Sequence, residues 1–76
     1  MIKTNFRADG TGRHPVTFIT GIANDLTMWD GQVPALGRDF RILRYDLRGH
    51  GGSEATRGDY SIALLVEDLL GLLNQL

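Results

Sequence analysis

Asp46, Arg48, His50 and Ser53 stand in one short stretch, Asp46-Leu47-Arg48-Gly49-His50-Gly51-Gly52-Ser53. Asp46, Arg48 and His50 together invite thoughts of a charge relay, in which an acid orients a base. An Asp at the C-terminal end of a strand is also a place where open α/β sheets keep chemistry. Trp29 is a second candidate, able to line a pocket for an apolar group. Its helical spacing with Val33 and Leu36 suits a core position equally well. Metal chemistry finds little support. There is no cysteine, and His14 and His50 are too far apart in sequence for a zinc pattern. Gly10-x-Gly12 is not a dinucleotide fingerprint, because no third glycine follows at the required spacing and no helix opens there.

The elements that must position these residues are legible in outline. Ile2 to Ala8 alternates, with Ile2, Thr4, Phe6 and Ala8 on one face, which predicts a half-buried strand. Asp9-Gly10-Thr11-Gly12 is a turn signal. Val16 to Thr20 is β-branched or aromatic at every position and predicts a strand buried on both faces. Gly21 breaks it, and Ile22 to Thr27 reads as a loop with Asn24-Asp25 as its turn pair. A short helix is expected over Met28 to Leu36, with Pro34 near its start and Gly37 as its C-terminal cap. Phe40 to Tyr45 predicts a second buried strand, followed by a glycine-rich loop from Leu47 to Asp59. Ser61 caps a last helix. Its apolar stripe comprises Ile62, Leu65, Val66, Leu69, Leu72, Leu73 and Leu76, with Glu67, Asp68, Asn74 and Gln75 off it. From Val16 onward the order is strand, helix, strand, helix, which implies parallel strands joined by a right-handed crossover.

With 76 residues, the chain is shorter than a typical domain, and its core is correspondingly small. Eight basic against nine acidic side chains give a net charge of -1, which argues against a nucleic-acid partner. The longest unbroken apolar run is Ile62 to Val66, too short to span a bilayer, and no basic and apolar leader follows Met1. A cytoplasmic globular chain is the expectation. Parallel sheets need helices on both faces, and two helices cannot cover them. Residues 1–76 are therefore expected to be the N-terminal portion of one larger α/β domain.

Two segments resemble the α/β-hydrolase family. Val16-Thr17-Phe18-Ile19-Thr20-Gly21-Ile22, with Met28-Trp29-Asp30 after it, is similar to the family's third strand and following loop, with Thr20 standing where the family has His. Arg44-Tyr45-Asp46-Leu47-Arg48-Gly49-His50-Gly51-Gly52-Ser53 is similar to its Asp-x-Arg-Gly-His-Gly-x-Ser segment after the fourth strand. Asp25-Leu26-x-Met28-Trp29-Asp30 together with Leu43-Arg44-Tyr45-Asp46 looks most like 3-oxoadipate enol-lactonases. The resemblance covers nearly the whole chain, with the family's first strand missing before Met1.

That resemblance implies hydrolysis of an ester, lactone or similar acyl bond by Ser attack, with an oxyanion hole and no cofactor or metal. The family's nucleophile sits on a Gly-x-Ser-x-Gly elbow, followed along the chain by the acid and the His. The elbow is expected beyond Leu76, so nucleophile, acid and base are all expected outside these residues. Gly51-Gly52-Ser53-Glu54-Ala55 imitates the elbow, yet no helix begins at Ser53, and Ser53 is expected to be a loop residue. One oxyanion donor does fall here. By position it is the backbone N–H of Ile22, where the side chain is free to vary. The family's segment around Asp46 and His50 is mainly a structural loop, and Trp29 is left as a candidate substrate contact. The partners implied are a small-molecule acyl substrate and the remainder of the hydrolase domain. The alternatives are a non-catalytic remnant or association module of the same fold, and a small flavodoxin-like binding module. The latter does not account for the Asp-x-Arg-Gly-His-Gly segment.

Overall fold

The structure is a computed structural model and describes residues 2–76. Three strands, β1 (Phe6–Asp9), β2 (His14–Ile19) and β3 (Phe40–Tyr45), form one sheet in the order β1-β3-β2. β2 runs parallel to β3, with Val16 opposite Ile42 and Phe18 opposite Arg44. β1 runs antiparallel to β3, with Phe6 opposite Tyr45. A 3-10 turn (Leu26–Trp29) and a short helix α1 (Val33–Leu36) make the crossover from β2 to β3, and α2 (Ile62–Gln75) follows the long loop.

Side-chain alternation along β3 divides the core between the two faces. Leu43 and Tyr45 face α2, where Tyr45, Leu47 and Leu72 are buried together with Leu69 packed against them. Ile42 and Arg44 face the crossover, under the buried Leu26. Arg44 is buried there as a bridge. Its Nε donates to Asp9 at 3.0 Å, and one terminal nitrogen donates to the Leu26 carbonyl at 3.1 Å and to Asp30 at 2.5 Å. Burial works against its charge, but the bonds to Asp30 and Asp9 outweigh it and leave its pKa above the ordinary guanidinium value. The strand β3 is thereby tied to β1 and to the crossover by one side chain.

Several elements differ from expectation. The first strand begins at Phe6, because residues 3–5 bond to the loop after β3. Asp46 N–H donates to Asn5 O at 3.0 Å, Glu54 N–H to Lys3 O at 2.8 Å, and Asn5 N–H to Ser53 Oγ at 2.9 Å. β2 starts two residues early and ends at Ile19, since Thr20 satisfies Tyr45 O through its hydroxyl at 2.9 Å. It is half-buried rather than covered on both faces, because it is the edge of this sheet. The expected Met28 to Leu36 helix is two pieces. Asp25 caps the first by accepting from Thr27 N–H at 2.9 Å, which starts it earlier, and Asp30-Gly31-Gln32 separates it from α1. Pro34 lies in the first turn of α1, where its missing N–H costs nothing. Gly37 is the C-cap of α1, as expected.

The last helix is capped by Ser61, whose hydroxyl accepts from Leu64 N–H at 3.1 Å. Its orientation departs from the stripe. Leu72 is buried and Leu65 and Leu69 are half-buried, but Ile62, Val66, Leu73 and Leu76 are exposed. Asp68, placed off the stripe by the sequence, is buried instead. It lies three residues after Leu65 and four before Leu72, hence on their face. Arg48 draws it in, with Nε and Nη2 donating to its two oxygens at 2.8 and 2.6 Å. No helix among the described residues is long and apolar enough to cross a membrane.

Candidate functional site

Both parallel strands end on the same side, where the chain leaves β2 through Gly21 to Asp25 and β3 through Asp46 to Ser53. Ligands in open α/β sheets bind beyond such C-terminal strand ends. A cleft of 410 Å³ lies there, bordered by Ala23 and Asn24 from the first loop, Thr27 and Met28 from the 3-10 turn, and His50 and Gly51 from the second loop.

Ile22 is in the first loop, with its side chain 73% exposed. Among the described residues its N–H donates to no protein acceptor, while Asn24 N–H turns back to Gly21 O at 3.2 Å. Ala23 follows at φ 69°, a left-handed conformation that a residue with a Cβ holds only when its surroundings impose it. Ile22 and Ala23 therefore form a tight, solvent-facing corner directly after the strand.

Asp46 is almost fully buried and is a fastening point. Oδ1 accepts Leu26 N–H at 2.6 Å, and Oδ2 accepts Asn5 Nδ2 at 2.8 Å and Gly52 N–H at 2.9 Å. Three donors, one on Oδ1 and two on Oδ2, engage both oxygens in structural bonds. His50 places Nδ1 at 3.0 Å from the Arg48 carbonyl, which can only accept, so Nδ1–H is the donor of that bond. Among the described residues no hydrogen bond joins His50 to Asp46. Ser53 is buried, with Oγ donating to Asp46 O at 2.7 Å and accepting Asn5 N–H. The stretch that looked like a relay is thus a set of separate backbone clasps.

Arg48 is spoken for by Asp68 and by Thr56, whose Oγ1 accepts at 3.1 Å. The bond to Asp68 holds the Arg48 guanidinium above its ordinary pKa, against the effect of burial. Trp29 packs on Phe18 with ring centroids 4.8 Å apart, and its Nε1 donates to Thr20 Oγ1 at 3.3 Å. Its ring is directed at the β2 face of the crossover. Among the described residues no three His, Asp or Glu side chains converge to hold a metal ion.

Asn5, Thr20 and Asp68 were not among the candidates. Asp68 had a signal, a charge spaced with the buried leucines. Asn5 had none, since its partner Asp46 lies 41 residues away.

The α/β hydrolase fold family matches residues 14–76, and the chain belongs to it. It is 30% identical to 3-oxoadipate enol-lactonase 2 of Acinetobacter baylyi over 99% of the chain and 28% of that enzyme. Among solved structures, the enol-lactonase of Burkholderia xenovorans is 45% identical, with a TM-score of 0.87 over 96% of this chain and 29% of its own. A thermophilic esterase of Thermogutta terrifontis superposes with a TM-score of 0.90 at 38% identity, over 97% of this chain and 27% of its own. The chain spans only 20% of a mycobacterial relative to which it is 37% identical. It is a partial α/β-hydrolase domain, a three-stranded sheet with its crossover and one long helix.

Proposed function

We propose that this chain supplies the oxyanion-loop portion of a serine-dependent hydrolase acting on an ester, lactone or similar acyl bond, of the enol-lactonase type, in the cytoplasm. The Ile22 N–H is the donor contributed here. As a nucleophile attacks an acyl carbon, negative charge collects on the former carbonyl oxygen. A fixed N–H aimed at that oxygen lowers the barrier, and losing one such donor typically costs about 2.7–4 kcal/mol. The carrying observation is the unpaired Ile22 amide at the C-terminal end of β2, in a corner held by left-handed Ala23.

Nucleophile, acid and base come from the remainder of the domain. That remainder would also cover the open edge of β2 and the bare flank of α2. Apolar surface there supports this, with Ile19 at 58% and Ile62 at 75% exposure lining a 300 Å³ groove. Trp29 acts from behind the loop, or contacts the acyl group when the remainder is in place.

The test uses the complete reading frame that contains residues 1–76, assayed on enol-lactones and p-nitrophenyl esters. Ile22→Ala should leave kcat within about twofold, because the amide survives, and Ile22→Pro should lower it by about 10²–10³. Equal effects of the two substitutions exclude Ile22 as the donor. A frame that ends without a further Gly-x-Ser-x-Gly elbow, Asp and His favours the non-catalytic association module instead.

A further inference from the structure

We propose that the Thr20 hydroxyl is a positioning residue that latches the Gly21 to Asp25 loop and so sets the direction of the Ile22 N–H; this rests on the hydrolase function proposed above. The loop has two anchored ends and an unsupported middle. All five of its residues are exposed, and its internal bonds are Asn24 N–H to Gly21 O and a long one of 3.4 Å from Asn24 Nδ2 to Ile22 O. Neither bond touches the Ile22 N–H; the first closes a Gly21–Asn24 β-turn in which Ala23, at φ 69°, takes the left-handed third position. A left-handed alanine relaxes unless the positions on either side of it are held.

The far end is held where Asp46 accepts the Leu26 N–H. The near end is held by Thr20, whose side chain is 1% exposed. Its Oγ1 donates to Tyr45 O, the last carbonyl of β3, and accepts the Trp29 indole N–H from the end of the 3-10 turn. One hydroxyl therefore bonds forward across the sheet and back across the loop. Such a group has one hydrogen to give and lone pairs to receive, so Thr or Ser can make both bonds and the isosteric Val can make neither. Stacking on Phe18 keeps the indole in place to donate. The separation between Thr20 and the 3-10 turn is thus set by side chains, and the Gly21–Asn24 turn with its left-handed Ala23 spans it.

Trp29 is the single tryptophan, so its fluorescence reports the latch without ambiguity. In the complete reading frame, with any tryptophan outside residues 1–76 replaced by Phe, Thr20→Val should red-shift Trp29 emission and increase its quenching by acrylamide. Hydrogen exchange of the segment 21–25 should accelerate about tenfold while the segment 40–45 is unchanged, and Thr20→Ser should restore both. In the complete reading frame, Thr20→Val should lower kcat about tenfold with KM within about twofold, as expected for a donor that acts on the transition state. Exchange that speeds equally in 21–25 and 40–45, or a Ser variant that behaves like Val, overturns the latch in favour of a merely structural hydroxyl. A loop that loosens as expected, in a wild-type frame that hydrolyses nothing, upholds the latch and overturns the function proposed above.

Discussion

The Asp46 carboxylate and the Leu26 amide are joined by a 2.6 Å hydrogen bond between residues 20 apart in sequence. Through it the loop after β3 carries the 3-10 turn of the crossover. The same carboxylate holds Asn5 and Gly52, so the acid that most invites a catalytic role is occupied by three structural donors.

Asp46→Asn should destabilise the fold by about 2–3 kcal/mol, because a side-chain NH2 must then face one of the three N–H donors in a buried site. Denaturant unfolding of the complete protein measures this. A midpoint unchanged by the substitution would mean that the three bonds contribute nothing net.

Gly51 has φ 49°, and a Cβ there would overlap the Asp46 carboxylate. Gly51→Ala should therefore cost more than about 2 kcal/mol, from left-handed strain plus displacement of a buried acid. Gly31→Ala is the control, since nothing lies near its missing Cβ. A similar melting temperature for the two variants contradicts the account of the loop.

The 76-residue chain should not turn over p-nitrophenyl esters above the buffer rate. Ser53 spends its hydroxyl on Asp46 O and Asn5 N–H, and among the described residues it bonds to no side-chain base. Ser53→Ala should instead lower stability by about 1–2 kcal/mol. Ester turnover by the chain that disappears on Ser53→Ala would make this serine a nucleophile after all.

Two titrations bracket the pH range. Burial, with Asp68 nearby, raises the Tyr45 phenol above its ordinary 10.0. The unfolded phenol ionises first, so this contribution is full below pH 10.0 and is lost as pH climbs through the folded value. Asp25 moves the other way, lowered from 3.8 by the Thr27 hydroxyl and N–H. Its contribution is present above pH 3.8 and disappears as pH falls through the lower folded value. Tyr45→Phe should flatten the alkaline limb of a stability profile, and the Thr27 amide shift should follow the Asp25 titration below 3.8. A Tyr45→Phe profile that keeps its alkaline limb would assign it elsewhere.

The chain alone should self-associate. β2 has an open edge, and Ile19, Ile22, Ile62, Val66 and Leu70 each present about half or more of their surface. Sedimentation should show mass rising with concentration, and ANS should bind. A compact monomer with a cooperative transition and no ANS enhancement would show that this surface needs no cover.

β3 was legible in the sequence residue for residue, and so was the Ser61 cap, because both depend on local preferences: a short apolar and aromatic stretch bounded by turn residues, and a hydroxyl directly before an apolar helix. The parallel β2–β3 pairing followed from element order, and the Asp-x-Arg-Gly-His-Gly segment pointed to the hydrolase family that residues 14–76 match. The placement of Gly21 and Ile22 directly after a strand was equally a local matter. What the sequence could not convey was which polar groups meet. Asp46 with Asn5 and Leu26, Arg48 with Asp68, and Thr20 with Tyr45 are bonds across 20 or more residues. Short-range periodicity carries no information about such partners, since each depends on how the sheet register and the α2 orientation bring distant chain together. The same limit explains the helix itself. Its apolar stripe was plain, but which flank turns inward was decided by the buried charge of Asp68 seeking Arg48, a tertiary demand that outweighed the symmetry of the stripe.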